Sequence, residues 1–178
     1  MAPKQIIFIV INLIGGFLVL LSYAYTLRAG SQGQNALWGG VPQGSRGLYT
    51  ISMLLSAVSF FIFTFFILFK VSPGETTIGK FSAYLFFYIF YILILLPSTA
   101  WTPLTLNFIQ GQKPLLWALI RVILFLVALG SLGVLITLLL LKPKPSSVFY
   151  WSAVIGALIF FLHTFVLDAL IWPAVFKL

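Results

Sequence analysis

A chain of 178 residues that is 62% hydrophobic and only 7% charged, with a mean hydropathy of +1.17, cannot clothe a water-soluble surface and reads as an integral, multi-pass membrane protein. Its ten basic and two acidic residues give a net charge of +8. The basic residues lie singly between apolar runs, as membrane-flank anchors rather than as a nucleic-acid surface. The absence of cysteine excludes disulfides, thiolate metal sites and thiol catalysis, and one histidine cannot assemble a metal cluster.

Five apolar runs are long enough to cross a bilayer, which takes roughly 20 residues. They span Ile6–Leu27, Leu48–Phe69, Phe81–Leu96 with an irregular continuation through Trp101, Leu115–Leu141 and Val148–Trp172. The expected fold is all-α, a single five-helix transmembrane domain. Lys4 ahead of the first run imitates a signal peptide, but the apolar core is too long and no small-x-small cleavage site follows. The first loop, Arg28–Arg46, carries Gly30, Gly33, Gly39, Gly40, Pro42 and Gly44 and predicts no helix. Leu37-Trp38 within it is an apolar handle that either folds back over the bundle or sits at the interface in a solvated loop. Ser72-Pro73-Gly74-Glu75 reads as a plain turn, and Lys142-Pro143-Lys144-Pro145-Ser146 as a helix-terminating connection.

With five spans, Lys4, Lys70, Lys80, Lys142 and Lys144 share one side, and Arg28, Arg46, Lys113 and Lys177 share the other. That difference slightly favours a cytoplasmic N-terminus. Ser52, Ser56 and Ser59 in the second span form a stripe of small residues. Ser152 with Gly156 and Ala153 with Ala157 form another in the fifth. Such stripes let helix backbones approach closely, either within the bundle or at a dimer seam, and packing within the bundle is expected.

The third run closes on Leu96-Pro97-Ser98-Thr99-Ala100-Trp101-Thr102-Pro103-Leu104. A large aromatic beside proline-disrupted backbone suits the wall of an apolar ligand pocket, although a Trp of the interfacial belt gives the same letters. Three ionisable side chains fall inside spans: Arg121, His163 and Asp168. Arg121 follows Pro114 by seven residues and Asp168 precedes Pro173 by five, so both lie within roughly 10 Å of one interface at 1.5 Å per residue. An intramembrane Arg121–Asp168 ion pair is the expectation. His163, five residues before Asp168, is placed on a different helix face, as a polar interior residue bonded to a neighbouring helix. The sequence shows no paired carboxylates, no Ser-His-Asp set and no phosphate-binding Gly loop, and the chain is read as non-catalytic.

Five spans with a long first loop, Trp101-Thr102-Pro103-Leu104 at the third span, Gly111-Gln112-Lys113-Pro114 leading to Trp117-Ala118-Leu119-Ile120, and Leu167-Asp168-Ala169-Leu170-Ile171-Trp172 near the C-terminus resemble the translocator protein family, whose bacterial members are the tryptophan-rich sensory proteins (TspO). Ser98 and Asp168 stand where that family has asparagine, and Arg121 stands where it often has an acid. The resemblance implies a five-helix bundle, often a homodimer, that binds a tetrapyrrole or sterol-like lipid in an apolar cavity. It implies a pocket built from Trp101 with Ser98 and Pro103, covered by Trp38, and faced by Phe160, Thr164 and Leu167 of the fifth span. The function so implied is a receptor or carrier for a hydrophobic small molecule, with a porphyrin-type tetrapyrrole or a lipid as the bound group. The alternative is a structural or accessory subunit of a larger, pigment-containing membrane complex. Beyond membrane lipids, that ligand and those protein partners, no nucleic acid is expected.

Overall fold

The structure, a computed structural model, describes residues 1–144 and 147–177. In chain order its elements are α1 (Pro3–Leu27), α2 (Ser31–Trp38), α3 (Arg46–Lys70), a two-residue-per-strand hairpin of β1 (Thr77–Ile78) and β2 (Phe81–Ser82), α4 (Ala83–Gly111), α5 (Pro114–Leu140) and α6 (Val148–Leu162). A π-helical segment, His163–Ile171, then carries α6 into the short α7 (Trp172–Val175). The helices α1, α3, α4 and α5, together with the composite Val148–Val175, are the five that are long and apolar enough to cross a membrane. The bundle is all-α, as composition and run lengths predict, and large apolar side chains such as Leu13, Phe17, Phe61 and Leu115 are exposed on its outside. An apolar exterior of that extent suits hydrocarbon and not water.

Local sequence sets the helix ends. Pro3 and Pro114 occupy the first turns of α1 and α5, where a missing N–H leaves nothing unpaired. Gln112 takes a left-handed conformation (φ 47°) that stops α4, and Lys113-Pro114 starts the next helix. The Ser147 hydroxyl caps α6 by accepting from the Tyr150 N–H at 3.2 Å. Pro145 and Ser146, part of the basic connection before α6, lie outside the described residues.

Three expectations from the sequence are corrected here. The third span does not break at Pro97, because α4 runs unbroken through Pro97 and Pro103. The hydroxyls of Ser98, Thr99 and Thr105 donate to the carbonyls of Ile94, Leu96 and Trp101 at 2.7, 2.7 and 2.8 Å, so the hydroxyls around the prolines are satisfied inside the helix. The glycine-rich first loop does contain a helix. Gly30 (φ 61°) and Gly39 (φ 56°) bracket α2 and supply its two sharp bends. The second loop is more than a turn: the hairpin joins Thr77 to Lys142 through a reciprocal backbone pair at 2.8 and 3.1 Å. On that same side Lys4 Nζ donates to the Pro73 carbonyl at 2.9 Å and to Ser82 Oγ at 3.1 Å.

Helix α4 packs between α1 and α5, and α6 packs between α5 and α3. The core divides into two apolar clusters. One, toward the N-terminal side, gathers Phe8, Phe63, Phe66, Tyr84, Phe87, Tyr91 and Tyr150. The other, toward the opposite side, gathers Tyr49, Phe108, Ile120, Leu124 and Trp172. Along α3, α4, α5 and the composite helix, buried hydroxyls fall between the two: Ser56 and Ser59, Thr102 and Thr105, Ser131, and Thr164. Ser131 and Thr164 hydrogen-bond each other at 2.8 Å, tying α5 to the π-helical segment. The small-residue stripes do face inward, since a Cβ on Gly156 would sit 3.3 Å from the Ser59 carbonyl oxygen.

The closest approach is between α4 and α5. A Cβ on Gly130 would come within 2.8 Å of Ile94 Cγ1 and 3.0 Å of the Phe90 carbonyl oxygen, and one on Gly133 would run into the Phe90 ring. Gly16, by contrast, has nothing within 4 Å of the same position. Gly133→Ala and Gly130→Ala should therefore destabilise the bundle by about 1–3 kcal/mol through overpacking. Gly16→Ala should be neutral or stabilising by up to ~1 kcal/mol from helix propensity alone. Thermal unfolding in detergent checks both, and equal effects at Gly16 and Gly133 would contradict the packing.

Candidate functional site

Two concavities mark the molecule. The larger, about 250 Å³, is an apolar groove between α1 and α4 lined by Val10, Ile14, Leu18, Ile92 and Leu96. The one polar side chain on it, Thr99, donates to its own helix, so the groove offers a ligand no directional contact. The smaller, about 110 Å³, lies in the half of the bundle away from the N-terminus, and chemistry converges there.

Its wall is assembled from seven elements or turns. Tyr23 comes from α1, Leu37 and Trp38 from α2, Val41 from the turn after it, and Tyr49 and Met53 from the first turns of α3. Trp101 comes from α4, Asp168 from the π-helical segment and Trp172 from α7. The Trp101 and Trp172 rings meet edge to face at 5.5 Å, and Tyr23 meets Trp101 in the same manner at 6.1 Å. These arrangements hold large rings rigidly at right angles to one another. The Trp172 indole N–H donates to the Leu37 carbonyl at 2.9 Å, which pins α2 across the pocket. Glycines make that closure tight. A Cβ on Gly39 would lie 2.7 Å from the Phe176 ring, and Cβ atoms on Gly33 and Gly40 would collide with the Thr26 and Val175 carbonyls. At the rim the Arg46 guanidinium lies 5.1 Å over the Trp38 ring and donates to the Val41 carbonyl at 3.3 Å.

Two polar atoms at this wall are buried without a hydrogen-bond partner: the Trp101 Nε1–H and the Tyr49 hydroxyl. Leaving such a group unsatisfied costs about 1–3 kcal/mol. Asp168 adds a carboxylate whose side chain is 27% exposed. Behind it, Ser52 Oγ lies 2.9 Å from His163 Nδ1, and His163 Nε2 lies 3.6 Å from Asp168 Oδ2. The Ser52–Nδ1 bond forms with either atom as donor, according to which ring nitrogen carries the proton.

The expected Arg121–Asp168 pair does not form. Arg121 is exposed on α5, and among the described residues Asp168 pairs with His163 instead. Two physical reasons account for this. A shallow arginine reaches an interface along the lipid-facing surface without needing a partner. The π-helical segment, bonded from i to i+5, sets residues five apart on one face, which brings His163 to Asp168. Phe160, Thr164 and Leu167 do not line the pocket. Phe160 packs on Phe60 and Phe63, Thr164 on Ser131, and Leu167 against the second apolar cluster. Ser98 and Pro103 remain within α4 and do not line the pocket. Of the residues expected there, Trp101 and Trp38 are at the wall, joined by Asp168. Tyr23, Tyr49, Met53 and Trp172 were not anticipated as pocket residues. The signal for Trp172 lay in the C-terminal Leu-Asp-Ala-Leu-Ile-Trp run, whereas nothing in the apolar runs of α1 and α3 marks their inward tyrosines.

Ser52, His163 and Asp168 thus fall in line although the sequence suggests no such set. Ser52 sits inside α3, where backbone N–H groups are taken by the helix ladder and offer no oxyanion hole. The 3.6 Å contact is also too long for a hydrogen bond.

Compared with known proteins, the chain matches no protein-family model, no curated protein and no solved structure. The pocket is therefore interpreted from its own chemistry.

The pairing yields a double-substitution test. His163→Gln and Asp168→Asn should be non-additive in thermal stability, with a coupling of about 0.5–3 kcal/mol. Arg121→Gln combined with Asp168→Asn should be additive. Coupling in the second cycle and none in the first would reverse the assignment.

Proposed function

We propose that this chain is an integral membrane protein that binds a small molecule with an apolar part in the tryptophan-lined pocket, acting as a receptor or carrier. The observation that carries this reading is the pocket itself, in which three indoles, two phenols and the Asp168 carboxylate converge under the roof of α2.

Size limits the ligand. The pocket holds about 110 Å³, against roughly 300–1,000 Å³ for sites that enclose drug-sized molecules. With α2 in place it accommodates a headgroup or a small molecule. A tetrapyrrole, as the translocator-family resemblance implies, enters only if α2 swings off its contacts with Trp172.

Heavy-atom quenching of tryptophan fluorescence tests the site. Titration with 6-bromohexanol, a small amphiphile, should give saturable quenching. Trp101→Ala should weaken the apparent affinity by about tenfold, the loss of roughly 1.4 kcal/mol of contact. Trp151→Ala should leave it unchanged, because Trp151 is exposed at the start of α6. Non-saturable quenching, or equal losses from both substitutions, would remove the site. Saturable, Trp101-dependent quenching by protoporphyrin IX would instead favour the larger ligand.

A further inference from the structure

The reading of the pocket as a ligand site leaves the ligand's chemistry open, and the wall itself narrows it. Three indoles and two phenols surround a cavity that also holds Asp168. Asp168 is one of only two acids in the chain, and the other, Glu75, lies in the loop between α3 and β1. Among the described residues the one basic group within ion-pair distance of Asp168 is His163, at 3.6 Å, a contact too long for a hydrogen bond. A carboxylate in a membrane interior with no closer partner is costly. Aromatic faces are attractive to cations as well, because the ring quadrupole is negative on its face. Arg46 over Trp38 shows one ring of the set already engaged in this way at the rim.

We propose that the pocket binds an organic ammonium group, as in choline or a choline ester. In this arrangement Asp168 is the counter-charge, and Trp38, Trp101, Trp172 and Tyr23 form the aromatic cage. The inference rests on the pocket being a ligand site. A few-carbon ammonium head suits its volume of about 110 Å³. The shared chemistry has two sources, a free amino alcohol or the headgroup of a membrane lipid.

The test compares choline with 3,3-dimethylbutanol, its neutral isostere of the same shape, by tryptophan fluorescence in nanodiscs of phosphatidylglycerol, which carry no choline. Choline should bind at least about tenfold more tightly than the isostere. Asp168→Asn should bring choline down to the level of the isostere while leaving the isostere unaffected. If Asp168→Asn does not fold, Trp38→Phe and Trp38→Leu carry the test, with choline binding kept by the first and lost in the second. Repeating the titration in phosphatidylcholine nanodiscs separates the sources: competition points to the lipid headgroup, and unchanged affinity to the free amino alcohol. Equal affinity for choline and its isostere, or indifference to Asp168→Asn and to Trp38→Leu, overturns the ammonium assignment. If 6-bromohexanol still quenches in a Trp101-dependent manner, the pocket survives that failure, and if it does not, both readings fall together.

Discussion

Backbone N–H and C=O groups in a bilayer have no water to turn to, and the architecture of this chain follows from how that demand is met around the two prolines of α4. A proline inside a helix deletes one ladder bond and crowds the preceding turn. In water such a turn opens easily. Here α4 continues through both prolines, packed against α1 and α5, and the hydroxyls of Ser98, Thr99 and Thr105 donate back to carbonyls of the same helix. Because α4 remains one helix from Ala83 to Gly111, it contacts α1 and α5 over its length and also meets α2. Trp101 is held on a rigid rod, with the hydroxyl-rich layer beside it and the second apolar cluster beyond. If α4 ended at Pro97, the pocket would lose its back wall.

The π-helical segment does comparable work on the other side of the pocket. It places His163 and Asp168 on one face, anchors Thr164 to Ser131 on α5, and delivers Trp172 to the α2 backbone. Three interactions are thus gathered along one stretch of the composite helix. Ser52 closes the sequence of polar contacts by fixing the imidazole, so the carboxylate presents a defined edge to the cavity.

What the sequence made legible follows from these facts. Apolar run length fixed the number of spans, and Pro-Lys punctuation located most of their ends within a few residues. Pro97 predicts a helix end that does not occur, because packing against α1 and α5, which the letters do not display, carries α4 through it. The face of the fifth span was misjudged because a helical wheel drawn at 3.6 residues per turn cannot see a π segment, for which the letters carry no marker. Arg121 drew attention as a charge inside a run, yet its shallow depth lets it reach the interface unaided. Tyr23, Tyr49 and Met53 were invisible for a deeper reason. In a membrane helix the lipid-facing side is as apolar as the core, so amphipathic periodicity, the usual guide to an inward face, is weak. Trp38 and Trp101 could be singled out because each stands beside glycine or proline, where the backbone itself advertises an unusual position.

The clasp between α2 and α7 has a consequence for biogenesis. Gly39 and Gly40 lie against Trp172, Phe176 and the Val175 carbonyl, more than 130 positions further along the chain. A ribosome delivers about 5–20 residues per second, so α2 emerges many seconds before the segment it rests on. During that interval its apolar Leu37-Trp38 edge has no seat, and the indole and phenol groups of the first four spans face an unfinished cavity. The pocket is consequently the last feature of the bundle to be completed, and insertion of the fifth span is the event that turns a set of membrane helices into a molecule with an inside.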